Sequence, residues 1–160
     1  VFLIDRVSLV EPTGARFEKQ ARVEPLGWLQ GAFGPWRGKG VKVRLLVSHW
    51  NLEKPELQHL KSLSLIPNVE IRVATLPLSK DGYIPFSRVI HAKYLGVDGK
   101  ALWLGTSNWA GGYLDNSRNV EVVVNDEALA RRVLAVHAQL WGSPYAEPLD
   151  VAKDYPKPKK

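Results

Sequence analysis

The chain has no cysteine. That absence excludes disulfides and thiolate metal sites and leaves the redox compartment open. No apolar run is long enough to cross a membrane as a helix. No signal peptide is visible, although the chain opens at Val1 without a methionine and a leader could have been lost. There is no internal repeat, and no low-complexity segment apart from residues 151–160. What is present is ordinary for a globular protein: 160 residues, 45% hydrophobic and 24% charged, enough for one domain with a buried core. The formal net charge of +6 is a modest excess that favours anionic partners such as nucleic acid or a phospholipid surface. Part of it lies in Lys153, Lys157, Lys159 and Lys160, which alternate with Pro156 and Pro158 in the manner of a flexible, solvated tail.

Residues 1–10 are apolar enough for a strand. Residues 11–39 are rich in Gly and Pro, and Pro25, Gly27, Gly31 and Gly34 weaken a helix over 23–33. Residues 41–47 read as a strand buried on both faces. Asn51 is placed to cap a helix running to about 65, with Glu53 and Pro55 in its first turn. Residues 69–76 form the next strand, so the helix between them predicts a right-handed crossover and parallel pairing. Loops follow at 77–87, carrying Tyr83, and later at 109–118. Residues 119–124 are a strand. Asn125 or Asp126 caps a helix to about Trp141, with Leu129, Val133, Val136, His137 and Leu140 as one stripe and Gly142 as its stop. This order predicts an α/β/α sandwich in which helices flank a central mixed sheet.

The most informative stretch is His91-Ala92-Lys93-Tyr94-Leu95-Gly96-Val97-Asp98, followed by Gly105-Thr106-Ser107-Asn108. Both segments are rich in β-formers, and Asp98-Gly99 is a strong hairpin signal. If Val97 pairs with Lys100, Lys93 lies opposite Leu104 and His91 opposite Thr106. Side chains alternate along a strand, so His91, Lys93, Thr106 and Asn108 then share a face. An imidazole there can be a nucleophile or a general acid, while an ammonium and an amide can hold phosphate oxygens as charge builds. Gly105 would let backbone approach a ligand closely. Taken singly, each residue has a plain structural explanation, a satisfied histidine, a solvated lysine or a turn. The set in this order and spacing argues for chemistry.

The pattern His-x-Lys, four residues, Asp, six residues, Gly, then Asn three positions later resembles the signature of the phospholipase D superfamily. His91, Lys93, Asp98, Gly105 and Asn108 stand at its positions, with Thr106 where a serine is usual. Residues 40–48, 84–89, 105–109 and 141–145 are similar to the C-terminal half of the branch that contains phospholipase D members three and four. That branch is associated with exonucleases acting on single-stranded nucleic acid and with lipid chemistry. The resemblance covers roughly residues 40–150 and implies a phospholipase D-like domain over 1–150, followed by the basic tail at 151–160. It implies that His91 is one of two catalytic histidines. One attacks phosphorus to give a phosphohistidine, and the other protonates the leaving oxygen. Lys93 and Asn108 would hold the phosphate, Thr106 and Ser107 would bind substrate, and no metal or other cofactor would be needed. Relatives also place a glutamate beyond the motif to orient the histidine, and Glu121 is the candidate. Asp98 is read as turn geometry rather than proton transfer, and Trp109 and Tyr113, with Tyr83, as aromatics at the rim able to stack bases or meet lipid head groups.

Such a site needs two motifs, and the chain has one. His49-Trp50-Asn51 lacks the lysine, His59 reads as solvated, and His137 reads as a packed core histidine. Either a twofold dimer pairs two copies of His91, or the chain is the second half of a longer two-motif polypeptide, which the start at Val1 and the resemblance to a C-terminal half favour. The expected activity is that of a metal-independent phosphodiesterase, a nuclease ahead of a phospholipase D. A non-catalytic phosphate- or nucleic-acid-binding module is the rival from another class. The substrate is accordingly single-stranded nucleic acid or phospholipid, and the compartment is left open.

Overall fold

The structure is a computed structural model that describes the backbone of residues 2–5 and, in full, residues 42–108, 116 and 118–158. Residues 11–39, with the helix expected over 23–33, and residues 109–115, with Trp109 and Tyr113, lie outside the described residues. The elements are β1 (Phe2–Asp5), β2 (Lys42–Ser48), a 3₁₀ turn (His49–Leu52), α1 (Glu56–Ser64), β3 (Val69–Ala74), β4 (Tyr94–Val97), β5 (Ala101–Gly105), β6 (Glu121–Val124), α2 (Glu127–Trp141) and β7 (Ala146–Pro148). The strands form one seven-stranded mixed sheet in the order β6-β5-β4-β1-β2-β3-β7. β1 pairs in parallel with β4, β2 pairs in parallel with β3, and the other pairings are antiparallel.

Alternation along β2 divides the core between two faces. Val43, Leu45 and Val47 pack with Ile71 and Val73 against Leu52, Leu57 and Leu63, which come from the 3₁₀ turn and α1. Leu46 points the other way, into a cluster with Ala74, Trp141 and Ala146, and Tyr94, Leu102 and Ala130 form a neighbouring group under α2. The two helices therefore lie on opposite faces of the sheet, which is the sandwich that the sequence pattern predicts.

Three details depart from the expectations. Asn51 does not cap the first helix. The chain leaves β2 in a 3₁₀ turn whose Trp50 N donates to Ser48 Oγ at 3.2 Å, and α1 begins later at Glu56, behind Pro55, without a side-chain cap. In α2 the cap is Asp126, whose carboxylate accepts from Leu129 N at 2.8 Å, but the buried face is Ala130, His137 and Trp141. Leu129 and Val136 are left exposed. The helix is rolled this way because Leu134 sits over Gly96, where any Cβ would strike it. The third departure is the segment read as a free tail. Tyr155 packs on the α1-side core, Lys61 Nζ donates to the Lys153 carbonyl at 2.7 Å, and Lys157 pairs with Glu53 at 3.0 Å.

Candidate active site

The hairpin register sets which side chains meet. Asp98 (φ 51°) and Gly99 (φ 68°) both adopt the left-handed conformation that an Asp-Gly turn favours. Lys100 N donates to the Val97 carbonyl at 2.9 Å and closes the turn. Lys100 is then left as an extra residue, and Val97 pairs with Ala101 rather than with Lys100. The expected register is thus off by one, and a slip of one residue exchanges the faces. Lys93 accepts at its carbonyl from Gly105 N at 3.1 Å, so it lies opposite Gly105, not Leu104. Continuing the ladder, His91 falls opposite Ser107, so the face expected to carry Thr106 and Asn108 beside His91 and Lys93 carries Gly105 and Ser107 instead. Thr106 ties β5 to the approach of β6: its Oγ1 accepts from Val120 N and donates to Asn119 Oδ1, each at 3.1 Å.

On the next strand Gly105 pairs with Glu121. Lys93, Gly105 and Glu121 therefore form a row across three strands on one face. A side chain on that glycine would displace its neighbours, because a Cβ would stand where Glu121 Oε2 and the edge of the Trp103 ring lie. The carboxylate is held over the glycine from one side by Ser107, which is 1% exposed and whose Oγ donates a short hydrogen bond to Glu121 Oε1. Sequence reading placed Glu121 and Ser107 in the site separately. Their coupling was not foreseen, since it depends on the third strand and on the corrected register.

His91 and Lys93 meet directly, with Nζ 2.7 Å from Nε2. An ammonium only donates, so Nε2 is the acceptor, and the ring hydrogen of a neutral His91 then sits on Nδ1. Burial holds the Lys93 ammonium below the usual lysine range. His91 is exposed and Lys93 and Asn108 are half-buried, so the pair opens to solvent rather than into hydrocarbon. Leu95 packs on the α1-side core, and alternation puts Lys93 on that same side of the sheet. Asp98 lies in the turn. Among the described residues no group of three or more His, Asp or Glu side chains is placed to hold a metal ion.

Of the other histidines, His49 lies near the site and His137 lies in the core. β4 runs opposite to β2, so the entrance of β4 and the exits of β2 and β3 lie at one end of the sheet. His49 follows β2 there, two strands from β4, or about 10 Å in strand spacing. Burial lowers its pKa, partly offset by a hydrogen bond with the Ala74 backbone. It lines a cleft of about 670 Å³ with Trp50, Thr75, Ser87 and Arg88. His137 is 1% exposed, stacked on Trp141 and edge-on to Tyr94, and among the described residues neither ring nitrogen has a hydrogen-bond partner, so its packing carries a polar cost. Burial, with nearby positive charge that includes Arg44 adding to it, pushes its pKa down to about 4.

A mixed sheet sandwiched by helices, with a His-x-Lys pair at the mouth of a central hairpin, defines a phospholipase D-like domain. Residues 33–141 match the family described as "Cardiolipin synthase, PLD-like domain", and the chain belongs to that family. It is 36% identical over 124 residues to a probable phospholipase D of Caenorhabditis elegans, an alignment covering 69% of this chain and 22% of that protein. It is 35% identical over 163 residues to the 5′-3′ exonuclease PLD4 of Mus musculus, covering 90% of this chain and 32% of that protein. Its fold is similar to that of NucT from Helicobacter pylori, with a TM-score of 0.68 and 15% identity over 92% of this chain and 81% of that one. The chain thus spans between a fifth and a third of the length of these two curated relatives.

Proposed function

We propose that this domain supplies half of the active site of a metal-independent phosphodiesterase that works through a phosphohistidine. The observation that carries the reading is the His91–Lys93 pair, an imidazole lone pair and a cation 2.7 Å apart on one open face. A phosphate oxygen entering there would take the Lys93 ammonium as its partner and bring phosphorus toward His91 Nε2. Attack by one histidine forms the N–P bond as the bond to the leaving oxygen breaks, and the second histidine gives that oxygen its proton. Water then attacks phosphorus, the N–P bond breaks, and the second histidine receives the proton back. Glu121, clamped by Ser107, orients the site, and the family resemblance assigns a further phosphate oxygen to Asn108, half-buried beyond the end of β5. The second histidine comes from another motif, either in a dimer mate or in another part of a longer chain.

Nucleic acid is the favoured substrate. The positive net charge and the cationic, aromatic cleft beside the motif suit it, and the PLD4 relative bears the name 5′-3′ exonuclease. The name phospholipase D on other relatives favours phospholipid as the second reading. The test is to give the full-length protein, in EDTA, a 5′-labelled single-stranded oligonucleotide and phosphatidylcholine vesicles. Shortening of the oligonucleotide with little release of choline is the expected result. Choline release alone would install the phospholipase, and turnover of neither, nor of bis-p-nitrophenyl phosphate, would leave a binding module.

A further inference from the structure

The loop that leads into His91 holds two non-glycine residues in the left-handed region, Phe86 at φ 56° and Arg88 at φ 58°. A bulky side chain rarely adopts that conformation, so the surrounding contacts must impose it. They are visible: Arg88 Nε donates to the Pro77 carbonyl at 2.8 Å, and Phe86 meets the Trp50 ring edge-on, centroids 6.1 Å apart at 87°. The result is not burial. Phe86 remains 75% exposed, so a constrained backbone displays a large aromatic ring to solvent. Trp50 and Arg88 also line the cleft, together with Lys153 and Lys157. That cleft shares with Lys93 both an end of the sheet and the α1 side of it.

We propose that Phe86, backed by Trp50, is a stacking platform for a base of single-stranded nucleic acid, with Arg88 meeting the neighbouring backbone phosphate. The platform would hold the strand on its way to His91 and Lys93. An exposed flat ring beside a guanidinium fits a base next to a phosphate, because every base offers a π-face and every linkage a charge. The inference rests on the phosphodiesterase reading and extends it to how the polymer is gripped.

The test uses the full-length protein and a fluorescein-labelled oligo(dT), with binding read by anisotropy in a His91→Ala background so that nothing is cut. Phe86→Ala should weaken binding at least about fivefold, whereas Phe86→Trp should retain it. Arg88→Gln should flatten the salt dependence by about one phosphate contact. With His91 intact, Phe86→Ala should lower kcat/KM for the oligonucleotide at least about fivefold relative to kcat/KM for bis-p-nitrophenyl phosphate. Unchanged oligo(dT) affinity in Phe86→Ala would overturn the inference, as would a loss seen only for phosphatidylglycerol vesicles titrated in parallel. Failure of the unaltered protein to hydrolyse bis-p-nitrophenyl phosphate would strike the phosphodiesterase reading instead and leave the binding result to stand.

Discussion

Glu121 lies across the one position in its row that has no side chain. Gly105 is part of the family signature, and on sequence alone its value was close approach of the backbone to a ligand. The structure gives it a nearer task, to make room for the Glu121 carboxylate that Ser107 holds. Gly105→Ala should therefore displace Glu121 and the Trp103 ring, cost about 1–3 kcal/mol of stability, and lower activity by more than the stability loss explains. Thermal denaturation beside kcat on the folded fraction would measure both, and unaltered kcat would contradict the role given to Glu121. The meeting of His91 and Lys93 was legible from their spacing of two residues, whereas the shared face expected for Asn108 was lost with the register. The clamp on Glu121 was not legible, because it joins residues fourteen positions apart through a strand pairing.

At the scale of elements, the errors have a common cause. The Asp98-Gly99 turn was correctly located, yet the extra Lys100 shifted the register by one, and no propensity distinguishes the two loops. The length and cap of α2 were legible from Asp126 and Gly142, but its roll was set by Gly96 beneath Leu134, a contact between distant residues. Gly96→Ala should accordingly destabilise the domain by about 1–3 kcal/mol in chemical denaturation, and an unchanged midpoint would show that the helix is not seated there. His137 adds a pH dependence. Its folded pKa, about 4, lies below the ordinary 6.5. The native state stays neutral where the unfolded chain takes up a proton, so stability is full above about pH 6.5 and falls as the pH drops toward 4. Among the described residues the ring meets Trp141 and Tyr94, whose pKa burial raises to about 12, with the positive charge of Arg44 nearby. His137→Leu should flatten the slope between pH 6.5 and 4, which reaches at most about 3 kcal/mol in the parent. A slope unchanged in the variant would place the acid sensitivity elsewhere.

For the whole molecule, the class of fold was legible because strands and helices alternate with clear periodicity and Val-rich β2 is buried on both faces. The edge strand β7 was not, since Ala146–Pro148 is short and ends in a residue that cannot donate to a ladder. Nor was the seating of Tyr155 on the core, which composition had assigned to a free tail. On the proposed reading, this domain supplies one motif and the second histidine comes from another motif. No described helix is long and apolar enough to cross a membrane. The central claim concerns one imidazole and one cation acting on one phosphate, and hydrolysis of bis-p-nitrophenyl phosphate in EDTA by the full-length protein tests it most directly. The account predicts turnover by the parent, none above background for His91→Ala, and a loss of about a hundredfold or more for Lys93→Ala. Turnover by either variant at the parental rate would contradict it.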